Sequence, residues 1–291
     1  MVSENRRKIL KAAASAPLLS LLNPHSSMGF TKETNQPGIA VQLYTIREAI
    51  AIDPFNSLKK LHDIGFRQVE TAFWPEGVSL QQASDWLRAS GLEAISSHIE
   101  IPQGNFKKVF IETAKAYDCK TLIWHGWPED KRYGSEKGVQ ELIKLYNEAS
   151  KFAQSNGLTF GLHNHWWEFR NKTGNTFPFD LLHRELDPEI FFELDVYWIK
   201  VAGMDPVTAI QRFGKRVRLL HMKDGPAVYH DSLATDNPDP MTALGKGTLN
   251  IPAILQASEH VKYLVIEMDK TSSDVFVALK ESFDFLSNKI K

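Results

Sequence analysis

The chain has 291 residues, 43% hydrophobic and 24% charged, and 34 Lys plus Arg nearly balance 35 Asp plus Glu for a net charge of −1. That is ordinary globular composition; it excludes a wholly disordered chain and a polyanion binder working through a broad basic face. One cysteine, Cys119, leaves no internal disulfide and no thiolate zinc cluster, so any metal must be held by His, Asp and Glu. No apolar run reaches the ~18–20 residues that cross a bilayer.

The N-terminus, NRRKILKAAASAPLLSLL from Asn5 to Leu22, reads as a twin-arginine export signal. Arg6, Arg7, Lys8 and Lys11 precede or enter a weakly hydrophobic stretch that Asn23–Pro24 breaks. No clean small-x-small cleavage site stands out near Ser26. Residues 1–30 are therefore set aside as a signal, and 31–291 are expected to form one domain. A periplasmic location follows; the alternative, an amphipathic surface helix, would leave the chain in the cytoplasm. Removing Glu4 and the four basic residues from a chain of net charge −1 leaves about −4.

After Pro37 strands and helices alternate. Gly38–Tyr44 reads as a strand. Asp53 and Pro54 open a helix whose face is Phe55, Leu58, Leu61 and Ile64, and Gly65 closes it. Strand Phe66–Glu70 is followed by a helix capped by Ser79 and stopped by Gly91. Next come strand Leu92–Ser97, helix Phe106–Tyr117 and strand Thr121–Trp124. Val139, Leu142, Ile143, Tyr146, Ala149 and Phe152 mark a long amphipathic helix. Strand Leu158–Leu162, a helix around Phe179–Leu186 and strand Ile190–Leu194 continue the alternation. A helix from Asp205 to Gly214, strand Val217–Leu220, helix Asn250–Ala257, strand Tyr263–Ile266 and helix Ser273–Ile290 complete it. Short apolar strands suit a parallel sheet buried on both faces. Eight units predict an α/β fold, a single-domain (β/α)8 TIM barrel. A doubly wound sheet would want a glycine-rich turn after the first strand, where this chain has QLYTIRE.

In such a barrel chemistry sits at the carboxyl ends of the strands. All eight ends carry polar groups: Gln42 and Tyr44, Glu70, His98, His125, HNHWWEF (163–169), ELDVYW (193–198), HMKD (221–224) and EMD (267–269). A mouth rich in acids and histidines is a candidate metal site. Glu193 lies two residues before Asp195, so both face the same side of the strand. Lys223 could reach a substrate oxygen or pair with an acid; Asp224 and Asp269 read as supporting groups. His98 and His125 read either as core or rim histidines or as substrate contacts. Tyr44, Trp127, Trp166, Trp167 and Trp198 could stack on a sugar, although Trp166 and Trp167 cannot both face a pocket in an extended segment. Cys119 reads as buried and inert.

HNHWWEF, ELDVYW, HMKD and the terminal EMD, with Gly245–Lys246–Gly247 after strand seven, resemble the sugar phosphate isomerase/epimerase superfamily, the xylose isomerase-like TIM barrels. The resemblance runs from Gly38 to the end. It implies a metal site of Glu168, Asp195, His221 and Glu267. Many relatives carry the first glutamate at the strand-five tip, where this chain has His163. Either His163 or Glu168 could face the metal; Glu168 is the expected ligand, with His163 and His165 beside it.

The chemistry expected of such a site is proton abstraction next to a carbonyl, through a metal-stabilised enediolate, in a sugar isomerase or epimerase. Glu168, Glu267, Lys223 and His163 are the expected catalytic residues. Tyr44, His98, His125, Trp127, His165 and Trp198 are the expected substrate contacts. The cofactor is one divalent ion, Mn first, with Mg, Co or Zn as alternatives. A dehydratase or lyase acting on a keto-sugar, or a non-catalytic carbohydrate-binding barrel, are the competing readings. A nuclease resembling endonuclease IV shares the barrel but would want a basic groove. The partner is a small sugar rather than nucleic acid, and the sequence is compatible with a homo-oligomer.

Overall fold

Eight short runs of apolar residues become eight parallel strands: β1 (Gly38–Gln42), β2 (Gln68–Thr71), β3 (Glu93–Ile99), β4 (Thr121–Trp124), β5 (Thr159–His163), β6 (Phe191–Asp195), β7 (Val217–Met222) and β8 (Tyr263–Ile266). In the computed structural model, which describes residues 36–172, 175–234 and 237–290, each strand pairs with the next, and β8 returns to β1 to close the barrel. This is the predicted (β/α)8 architecture. The export segment read at 1–30 lies outside the described residues. Among those residues no helix is long and apolar enough to cross a membrane.

The outer helices begin where the sequence supplies caps. Asp53 accepts the Asn56 N–H (3.1 Å) ahead of helix Pro54–Ile64, and Ser79 and Gln82 form a reciprocal capping box at Leu80–Ser90. Asp205 accepts the Thr208 N–H (3.0 Å) at Pro206–Phe213. Three short helices escape the sequence pattern: Arg47–Ile52, Trp167–Arg170 and Val196–Val201. All three follow closely on strand ends, where a few residues cannot show a 3.6-residue period.

The pleat decides what faces the axis. Alternate residues of a strand point to opposite faces. Val41, Leu122, Leu194 and Leu220 join the large core between barrel and helices, while Ala40, Ile123, Phe191, Leu219 and Val265 form a separate small cluster inside the barrel. One pleat above that apolar plug, the same alternation turns buried polar side chains inward: Gln42, Glu70, His163, Glu193, His221 and Glu267. Register brings them level, with Gln42 opposite Glu70, His163 opposite Glu193, and Asp195 opposite His221.

The loop after β7 is pinned from within. Asp224 is fully buried, and its carboxylate accepts the backbone N–H groups of Gly225 (2.8 Å), Gly245 (2.9 Å), Gly247 (3.0 Å) and Leu249 (3.1 Å). A side chain at Gly247 would run into that carboxylate, which accounts for the glycine there. Removing the carboxylate leaves four N–H groups to be satisfied another way. Asp224→Ala is therefore expected to cost roughly 3 kcal/mol of stability or more, read as the shift in a denaturant unfolding midpoint. An unchanged midpoint would contradict this account of the loop.

Candidate active site

A cavity of about 310 Å3 opens at the carboxyl ends of the strands. Its walls include all six expected substrate contacts, Tyr44, His98, His125, Trp127, His165 and Trp198. His163, Lys223, Glu267 and Asp269 also face it, as do Arg47 and Phe73. Trp166 and Trp167 are not among its walls. Their segment turns into the helix Trp167–Arg170 instead of staying extended; Trp166 packs on Trp198 (4.8 Å between centroids) and Trp167 stacks on His165 (4.4 Å). Cys119 is buried, and burial pushes its thiol up to about 11, which keeps it protonated.

Three carboxylates meet one ammonium beneath the cavity. Lys223 Nζ lies 3.0 Å from Asp195 Oδ2, 2.9 Å from Glu267 Oε2 and 2.7 Å from Asp269 Oδ2, and the side chain is almost wholly buried. Burial opposes the charge, but the Asp195, Asp269 and Glu267 carboxylates outweigh it and hold the ammonium well above its ordinary pKa. Burial would likewise raise Glu267, yet Lys223 and His221 hold it ionised, well below the usual range. Asp269, at the edge of the cluster, is pushed up by burial to about 6.

His221 links this group to a deeper one. Its Nδ1 is 2.6 Å from Glu267 Oε2, and its Nε2 is 2.7 Å from Glu70 Oε1 and 3.2 Å from Glu193 Oε2. His98 Nε2 lies 2.7 Å from the same Glu193 oxygen and His163 Nδ1 3.3 Å from it. Glu70 is held by Gln42 (2.7 Å) and Ser96 (2.6 Å). Burial opposes a charge on His98, but Glu70 and Glu193 raise its pKa; His163 is driven down to about 3, chiefly by burial, and stays neutral.

Among the described residues, two groups of side chains could hold a metal ion: Asp195, His221 and Glu267, and below them His98, His163, Glu193 and His221. The first fits a cation. Asp195 Oδ1 accepts the N–H groups of Tyr197 and Trp198 (both 2.9 Å), which aims Oδ2 at the cluster. That Oδ2 and His221 Nδ1 are buried without an aligned hydrogen bond. Asn164, between the two histidines of HNH, has a framework role: its Oδ1 accepts the Asp195 N–H at 3.0 Å.

Glu168 does not join either group. β5 ends at His163, which reaches to 4.0 Å from Asp195 Oδ2, and the chain then turns. Glu168 lies in the short helix beyond, where its Oε2 accepts the His165 N–H at 3.0 Å. His163, not Glu168, thus occupies the strand-five position beside Asp195. Arg47, Phe73 and the pairing of Glu70 with His221 carry no periodic signal in the sequence. Arg47 opens the short helix Arg47–Ile52 after β1 and Phe73 sits in the loop after β2, and the Glu70–His221 contact joins strands 151 residues apart.

The family model for the xylose isomerase-like TIM barrel matches residues 58–289. The chain belongs to that family. Its fold is shared by a sugar phosphate isomerase/epimerase from Parabacteroides distasonis (22% identity, 88% of this chain and 100% of that one, TM-score 0.73). A probable 3-DHS dehydratase, AsbF, from Bacillus anthracis aligns over 87% of this chain and 99% of its own (17% identity, TM-score 0.68). The IOLI protein, solved with a bound zinc atom, aligns over 87% and 98% (13% identity, TM-score 0.65). No curated protein matches significantly. The family model makes the chain a xylose isomerase-like TIM barrel, and these neighbours share its fold.

Burial pushes the Glu168 carboxyl up to about 8. In the unfolded chain it ionises near 4.5. Between those values the unfolded state binds fewer protons, so this group makes stability fall as pH rises and contributes nothing to the slope below the lower value. Glu168→Gln is expected to flatten the decline of melting temperature between pH 5 and 8 and to leave metal content unchanged. Loss of metal in this variant would restore Glu168 as a ligand.

Proposed function

We propose that the protein is a metal-dependent sugar isomerase or epimerase that moves a proton at the carbon next to a carbonyl. The observation that supports this most is the convergence of Asp195, His221 and Glu267 with Lys223 and Asp269 on one cavity floor, from three successive strands. Asp195, His221 and Glu267 would hold the ion, with His163 beside them in the place expected of Glu168. Two carboxylates and imidazole without sulfur suit Mn first, with Mg, Co or Zn as competitors. When bound, a divalent ion supplies Lewis-acid polarisation of two neighbouring sugar oxygens.

The chain's own residues do the rest. Glu267, held ionised and facing the cavity, takes the proton from the carbon beside the carbonyl. The Lys223 ammonium offsets the negative charge that develops on the oxygen. His163 and His165, on β5 and just beyond it, are buried, neutral imidazoles able to hydrogen-bond the sugar oxygens, while the proton that Glu267 takes returns from Glu267 to the neighbouring carbon. Trp198 and Tyr44 offer ring faces to the sugar's C–H surface. If residues 1–30 direct export, this chemistry takes place in the periplasm.

Glu267→Gln is expected to keep the fold and lower turnover at least ~100-fold, the usual scale for an acid/base group. The assay is wash-in of solvent deuterium into a panel of free and keto sugars, with and without chelator; full activity in this variant would remove Glu267 from the mechanism. Asp195→Ala and His221→Ala are expected to lose bound metal after dialysis. Unchanged stoichiometry in both would place the ion elsewhere.

A further inference from the structure

Two features of the cavity stand apart from this chemistry: the tethering of its two permanent cations, and two solvent-exposed aromatic rings at its rim. The described residues that line it include two permanent cations, Arg47 and Lys223. Arg47 gives Nη1 to the Tyr44 carbonyl (3.0 Å) and Nη2 to the Asp269 carbonyl (2.9 Å). Lys223 is shared among three carboxylates. Glu267 and Asp269 face the same space. A phosphate dianion entering here would meet the Glu267 and Asp269 carboxylates, with Lys223 already shared among three acids and Arg47 tethered to two backbone carbonyls.

The other anion cradle of such a barrel is filled as well. TIM barrels that bind phosphate commonly do so with backbone N–H groups of the loops after strands seven and eight. In this chain the N–H groups of Gly225, Gly245, Gly247 and Leu249 after β7 all donate to Asp224. A fixed internal carboxylate already takes the donors a phosphate would need.

The rim has the opposite character. Phe73 is 57% exposed and Trp127 is 45% exposed, although both line the cavity. Both are anchored to His125: Phe73 packs edge-on to its ring at 5.2 Å, and the Trp127 N–H donates to its Nδ1 at 3.1 Å. Two aromatic rings held in water beside a polar sugar site form a platform for a flat, weakly polar ring.

We propose that the site takes an uncharged, unphosphorylated sugar joined to a second ring, with the sugar over Lys223 and Glu267 and the second ring against Phe73 and Trp127. The second ring is a further sugar or an aryl group, since both present a flat face. This rests on the sugar-processing reading above and narrows its substrate.

The test is titration calorimetry of the full chain with hexoses in four forms: the methyl glycoside, the 6-phosphate, a disaccharide and the 4-nitrophenyl glycoside. The 6-phosphate is expected to bind at least ~10-fold more weakly than the methyl glycoside. One of the two-ring ligands is expected to bind about 10-fold more tightly, the scale of one aromatic contact, and which one does so identifies the second ring. Phe73→Ala combined with Trp127→Ala is expected to erase that gain, so that the two-ring ligand binds this variant no more tightly than the methyl glycoside does; both side chains are exposed, and a melting curve checks the fold. Phosphate binding as tight as the neutral sugar, or a ring gain that survives the double variant, would overturn this inference while leaving the sugar reading intact. Failure of every hexose form to bind would instead overturn the sugar reading, and this inference with it.

Discussion

The buried ammonium of Lys223 is what allows the floor of this barrel to exist. Glu70, Glu193, Asp195 and Glu267 are buried within a few ångströms of one another, and Asp269 lies just above. Burying an unpaired carboxylate is costly, and breaking a buried pair by removing one partner is among the more damaging changes a fold can suffer. The groups that pair with these acids come from other parts of the barrel: the Lys223 ammonium just past β7, and the imidazoles of His221 on β7 and His98 on β3. The result is two adjoining clusters, Lys223 above and the histidines below, joined through the two nitrogens of His221. The acids can then serve chemistry because their charge is already matched.

The pleat imposes this arrangement more than any single contact does. On β7 the residues 219, 221 and 223 run from the apolar plug to the histidine layer to the ammonium. On β6 the series is Phe191, Glu193 and Asp195. Such two-residue steps are readable in a sequence, which is why the strand ends and the fold could be anticipated from ELDVYW, HMKD and EMD. Where the strand stops is less readable. HNHWWEF contains residues able to continue a strand or begin a helix, and the turn after His163 puts Glu168 in the helix Trp167–Arg170 rather than at the strand end. Arg47 opens a helix of six residues and Phe73 lies in an irregular loop, neither long enough to show a period. The layered contacts of Glu70 with His98, His221 and Gln42 depend on strand neighbours that only closure of the barrel brings together.

Asp224 shows how stability and specificity share one residue. Its carboxylate organises the loop that follows Lys223 and takes the backbone N–H groups of Gly225, Gly245, Gly247 and Leu249. In this chain four N–H donors of the loop after β7 are thus taken by an internal carboxylate. The barrel supplies the positions; the loops and their charges set what can enter.

The most direct test of the central assignment is an anomalous difference map from crystals of the protein loaded with Mn2+. The account predicts one peak bounded by Asp195, His221 and Glu267, with His163 adjacent and Glu168 remote. A peak held instead by His98 and Glu193, or one that includes Glu168, would contradict it.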